Sequence, residues 1–255
     1  MDMFASNPFA LLSSLIPPVA MQGYVALMIC AVVLGTLVDL RHKRSAIFFA
    51  QRRRKAAATA VRRLGGGEVA RLAISTLGSD VATSGLFCKL DRRISHLLMS
   101  YGFVAYVVAS LAMVFVYPTA ADTPVVLTAL WDGGALMVLV GGSWFFFILR
   151  VDVAHEGHSP WRLSQADLFV GSLLASVACA LMWHAAQLSA GSAAIGTWVL
   201  FGLYVLFTTL LFGSVPWSKF AHMFYKPAAA FQSRVEEASG ASDLPRPAGP
   251  GPVER

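Results

Sequence analysis

The sequence predicts an all-α integral membrane bundle of five transmembrane helices, and three features carry that prediction. Hydrophobic residues make up 56% of the 255 residues and charged ones only 13%, with a mean hydropathy of +0.63. A soluble domain of this length needs far more charge to cover its surface, so lipid must cover much of this one. Five stretches are apolar over the roughly 20 residues that a spanning helix needs. They are 23–40, 95–117, 125–149, 168–188 and 195–215, and none contains Lys or Arg. Finally, when these spans alternate across the bilayer, all 20 Lys and Arg residues fall on one side.

Residues 1–22 carry no Lys or Arg and form the expected periplasmic N-terminal segment. Within it, Pro8 to Ile16 is apolar, too short to span and stopped by Pro17-Pro18. No basic residue precedes it, so it reads as an interfacial or disordered lead and not as a cleaved signal. The first span, 23–40, is the shortest, and Asp39 falls near its end. Residues 41–94 form a basic loop in which nine cations lie between Arg41 and Arg63 with no acidic residue among them. Basic loops stay cytoplasmic, which predicts the N-terminus out and the C-terminus in. Ala46 to Leu64 reads as an amphipathic helix, Gly65-Gly66-Gly67 as a break, and Glu68 to Leu77 as a second short helix. Such a segment lies on anionic headgroups or forms a platform for a soluble partner. Residues 95–231 hold the other four spans, and 232–255 is expected to be a disordered cytoplasmic tail rich in Pro and Gly.

The formal net charge of +6 is a membrane feature: the cations adjoin a span and give no support to nucleic-acid binding. Three cysteines without a Cys-x-x-Cys argue against an iron–sulfur or zinc site. Paired broken helices, which point to a transporter, are missing from the pattern.

Six histidines are candidates for chemistry. A haem b held between helices takes neutral imidazoles from two helices at equal depth. His96 opens the second span, and His222 lies a short way past the fifth, on the same side. Arg92 and Arg93 precede His96, and Lys219 precedes His222, so cations stand where haem propionates need partners. The bland alternative is that both histidines anchor at the headgroup level. Gly102 permits close approach of a flat macrocycle or of another helix. His184 stands toward the outer end of the fourth span with no histidine at its depth; it serves a quinone or bonds a neighbouring helix. Asp132 is the acidic residue of the third span, near its outer end. His155 and His158 lack further ligands nearby, and His42 sits in the basic cluster as a solvated interfacial residue.

Two stretches carry a resemblance. Arg92-Arg93-Ile94-Ser95-His96-Leu97-Leu98-Met99-Ser100-Tyr101-Gly102-Phe103 and Val215-Pro216-Trp217-Ser218-Lys219-Phe220-Ala221-His222 resemble the second and fifth helices of the nitrate reductase gamma-subunit family of membrane cytochromes b. Its sulfur-metabolism branches, the membrane subunit of the quinone-interacting oxidoreductase complex and the heterodisulfide reductase cytochrome, look nearest. The resemblance implies that His96 and His222 are the ligands of a cytoplasmic-side haem b. Ligands of an outer haem would fall about ten residues after His96 and about eighteen before His222, one leaflet further out at ~1.5 Å per residue. Tyr106 and Tyr204 stand near those places. The paired departure implies one haem and not two. The resemblance further implies an electron-transfer subunit in the inner membrane of a bacterium. Its partners would be the quinone pool and a soluble flavin and iron–sulfur enzyme, with adenylylsulfate reductase the best match. A haem-less tether for that enzyme is the alternative.

Overall fold

The computed structural model describes residues 6–42, 45–78, 89–119, 123–150, 167–215 and 222–241. No strand occurs among them. Among the described residues, five helices are long and apolar enough to cross a membrane. They are α2 (Pro18–His42), α5 (Leu90–Phe115), α6 (Val125–Trp144, continued by a π-helical turn over Phe145–Leu149), α7 (Leu168–Ala190) and α8 (Ile195–Gly213). A short α1 (Pro8–Leu11) precedes them, α3 (Ser45–Thr59) and α4 (Gly66–Ser75) follow α2, and α9 (His222–Ser239) follows α8. The chain is a multi-pass membrane protein. In hydrocarbon every backbone polar group must be satisfied within the protein, and helices do this segment by segment. Leu27, Leu34, Leu37, Val104, Val108, Val199 and Leu206 are accordingly exposed without cost, since lipid is their solvent.

Small residues set the closest contact. A Cβ added at Gly102 would lie 2.7 Å from the Gly134 carbonyl oxygen, and one at Gly134 would lie 2.8 Å from that of Gly102. About two turns further along, a Cβ at Gly141 would meet the Ser95 carbonyl at 2.8 Å. Ser95 Oγ donates to the Gly141 carbonyl at 2.8 Å, tying the same place with a hydrogen bond. Backbones of α5 and α6 thus touch along an antiparallel seam, as expected where lipid offers no hydrophobic drive and packing must supply the attraction. Of the two neighbours open to Gly102, the structure chooses another helix.

Antiparallel packing continues through α7 and α8. Leu174 sits where a Cβ at Gly142 would be, and Ser176 and Thr208 share a hydrogen bond of 2.8 Å. Helix α2 is held more lightly: Tyr24 Oη donates to the Val205 carbonyl at 3.1 Å, and Gln22 Nε2 to that of Val114 at 3.2 Å.

Two expectations need correction. The lead at Pro8 to Ile16 is not disordered: Phe9, Ala10 and Leu12 are buried, and Leu12 is 1% exposed. Asn7 causes this. Its Oδ1 accepts from the Phe9 and Ala10 amides, capping α1, while its Nδ2 donates to the Tyr117 carbonyl and Thr123 Oγ1 at 2.9 and 3.0 Å. Nor does the tail start at residue 232, because α9 runs on to Ser239. There Arg52 of α3 grips Glu236 through two bonds of 2.8 and 2.7 Å, and Arg234 donates to Ser75 Oγ of α4. The Val61 and Arg62 amides donate to the Ser239 carbonyl, so α3, α4 and α9 form one platform at the basic end.

Replacing Gly102 with Val should therefore destabilise the bundle by at least the ~1–3 kcal/mol of an overpacked core. Gly171→Ala, with nothing within 4 Å of the new methyl, should leave the melting temperature in detergent unchanged or slightly raised.

Candidate functional site

Polar side chains inside hydrocarbon are costly and mark the places worth reading. At the end of the bundle away from the cations, His184 Nδ1 lies 3.0 Å from Asp132 Oδ1, and its Nε2 lies 3.0 Å from Ser6 Oγ. Asp132 and His184 are both 0% exposed. The geometry suits the imidazole tautomer whose Nδ1–H donates to the carboxylate and whose Nε2 accepts from the serine hydroxyl. Just beyond, Gln187 Nε2 donates to the Pro8 carbonyl at 3.1 Å. Phe9 closes over the array, edge-on to Trp131 at 5.8 Å and to Trp183 at 5.6 Å. A serine, an imidazole and a carboxylate stand in the order of a hydrolytic triad, but Asp132 and His184 are sealed from solvent. The array is a fastening: it joins α1, α6 and α7 through groups that none of them can satisfy alone. His184 thus bonds a neighbouring helix, and it does so together with the N-terminal segment.

Deeper in the bundle lies a layer of phenols. Tyr106 stacks on Trp131 at 5.2 Å and Tyr204 on Trp183 at 5.5 Å, with interplanar angles of 29° and 12°. The two hydroxyls neighbour each other, and Tyr204 also neighbours Thr208, which bonds Ser176. The positions that the resemblance reserves for outer haem ligands are therefore filled by facing, stacked phenols. No imidazole stands at either, and the donor set does not fit a low-spin haem there.

Comparison of the chain with protein-family models, with curated proteins and with solved structures finds no match.

At the basic end His96 is half-buried on the first turns of α5, and Ser100 Oγ lies 3.3 Å from its Nδ1. A ligating histidine is commonly oriented through its second ring nitrogen in this way. By helical spacing His96 shares a face of α5 with Phe103 and Val107, away from the glycine seam. Arg92 is exposed, and its Nη2 donates to the Leu149 carbonyl at the end of the π-helical turn, 3.3 Å away. Arg93 is half-buried one residue on. His222 is the first residue of α9, but its side chain lies outside the described residues, as do Lys219, His155, His158 and the side chain of His42. Among the described residues no group of three His, Cys, Asp or Glu side chains gathers as a metal would require.

The fastening is the site that sequence reasoning missed. The signal was available: Asp132 and His184 each stand about two turns from the same end of their spans. Removing one partner of such a buried pair strands the other. Asp132→Ala and His184→Ala should each cost about 3–5 kcal/mol, and the double variant less than their sum. Ser6→Ala should cost about 1 kcal/mol. Denaturant titrations in mixed micelles measure all four.

Proposed function

We propose that this protein is the membrane anchor and electron-transfer subunit of a soluble redox enzyme, adenylylsulfate reductase on the resemblance of its two histidine-bearing stretches. It would sit in a bacterial inner membrane with the basic platform in the cytoplasm and pass electrons between that enzyme and the quinone pool. The observation that carries the reading is the placement of His96. It lies at the basic end of α5, with Ser100 beside its Nδ1.

His96 and His222 are the residues that would hold a single haem b, with Arg92, Arg93 and Lys219 as cations beside its propionates. A haem b supplies one-electron chemistry when bound. The chain's own part is to orient and to insulate. Ser100 fixes one face of the His96 ring, the α5–α6 seam holds the helix that bears it, and the apolar bundle excludes water from the span above. The platform would supply charge to a partner: Arg52, Arg53, Arg54 and Lys55 of α3, with Arg62 and Arg63 after it, have no acidic residue among them. Arg52 is already matched by Glu236, whose hydrogen bonds push the guanidinium pKa above its usual value. Glu68 accepts from the Gly65 amide and from Arg62, and its carboxyl is held below the ordinary range by these contacts.

The platform also favours a second reading, a tether that works without haem, because α3, α4 and α9 bind one another independently of His96.

The purified protein should show a b-type band in its reduced-minus-oxidised spectrum, lost in both His96→Ala and His222→Ala. A wild type without that band leaves the tether. Deleting residues 46–77 should release the soluble enzyme from membranes while the five spans stay inserted; an enzyme that remains bound would place its dock elsewhere.

A further inference from the structure

Between α2, α5, α7 and α8 lies a cavity of about 280 Å³ whose lining is almost wholly apolar. That volume is near the lower end of the ~300–1,000 Å³ typical of small-molecule sites. Ile29 and Val33 of α2 line it and are nevertheless 48% and 52% exposed, so this wall also faces lipid. One polar group of the lining stands out. Tyr106 is 7% exposed and lines the cavity, and its hydroxyl makes no well-aligned hydrogen bond. The Tyr204 hydroxyl lies beside those of Tyr106 and Thr208, and the other polar groups of the lining are engaged: Tyr24 with Val205 and Thr209, Ser110 with Trp131 and the Tyr106 carbonyl, and Ser176 with Thr208.

We propose that this cavity is a binding site for the ring of a membrane quinone, with Tyr106 Oη donating to one of its carbonyl oxygens. A buried hydroxyl without a good acceptor costs about 1–3 kcal/mol, which a ligand acceptor recovers. The rest of the wall, with Met28, Phe103, Val107 and Leu111, suits a flat apolar ring and its isoprenoid tail. Depth selects the ligand. Tyr106 is nine residues from the end of α5, ~13 Å along the helix, well below the ester carbonyls of phospholipids. A quinone carries its acceptors into the hydrocarbon, whereas an acyl chain has none to offer. The choice of a quinone rests on the electron-transfer reading above; the cavity and its hydroxyl do not. Phe103, at the lining, is seven residues or ~10 Å along α5 from His96 on the same face, so a ring seated here lies toward that histidine.

Trp131 and Trp183, stacked on the two phenols, provide the readout. Titrating decylubiquinone into the full-length protein in phosphatidylcholine nanodiscs should quench tryptophan emission saturably. Tyr106→Phe keeps the ring and removes the donor, and should weaken binding about three- to tenfold. Val107→Phe narrows the cavity and should abolish saturable quenching. Both variants should melt as the wild type does, and if one does not, the other decides. The assignment is overturned if the wild type shows no saturable quenching, or if every stably folded variant binds as tightly as it does. It is overturned too if an alkyl amphiphile without the ring displaces decylubiquinone as well as a second quinone does, which would mean a lipid-chain site. Haem is read from the same samples by its spectrum. A b-type band without quenching removes this site and leaves the proposed function standing. Quenching without the band retains the site and removes the haem.

Discussion

A carboxyl group and an imidazole cannot be left in hydrocarbon without partners, and the arrangement of this bundle answers that constraint. Asp132 and His184 stand on different helices, and neither helix can satisfy its own group. Their 3.0 Å contact therefore fixes the rotation of α6 against α7. The remaining nitrogen of His184 reaches Ser6, which draws the N-terminal segment over the aromatic rings and buries Phe9 and Leu12. Glycines allow the rest. With α5 pressed on α6 at backbone distance, Tyr106 and Trp131 come into stacking range, and the phenol layer follows from the seam.

The polar groups thus fall at three depths with different duties. Near the cation-free end they fasten elements together. In the middle they line an apolar cavity, where Tyr24, Ser110 and Ser176 are engaged and the Tyr106 hydroxyl lies beside Tyr204 without an aligned bond. At the basic end the bonds lie outside the spans and join three amphipathic or polar helices into a surface.

Much of the fold was legible because hydropathy is decisive in a bilayer. The ends of the four later spans agree with their sequence limits within a few residues, and the helix ends differ mainly where a polar residue joins the first turn, as Arg92 and Arg93 do in α5. What composition could not reveal was α1. Four apolar residues look the same whether they lie on headgroups or under two tryptophans, and only the cap at Asn7 and the bond at Ser6 distinguish them. His184 was recognised as out of place, and Asp132 was noticed separately; pairing them required comparing depths on antiparallel spans. Tyr106 and Tyr204 stand near the places that the resemblance gives to outer ligands, and nothing in their residue type announces the stacking on Trp131 and Trp183. The extension of α9 past residue 232 was hidden because its polar composition resembles a solvated tail until Arg52 is brought opposite Glu236.

The lightly held α2 has one more effect. Its apolar run, 23–40, is the shortest of the five, ~27 Å against a hydrocarbon layer of ~30 Å. A helix tied to its neighbours by so few bonds can shift to match the layer around it more easily than the glycine-locked pair can. The lipid-facing wall that α2 lends the cavity therefore answers to bilayer thickness as well as to the protein.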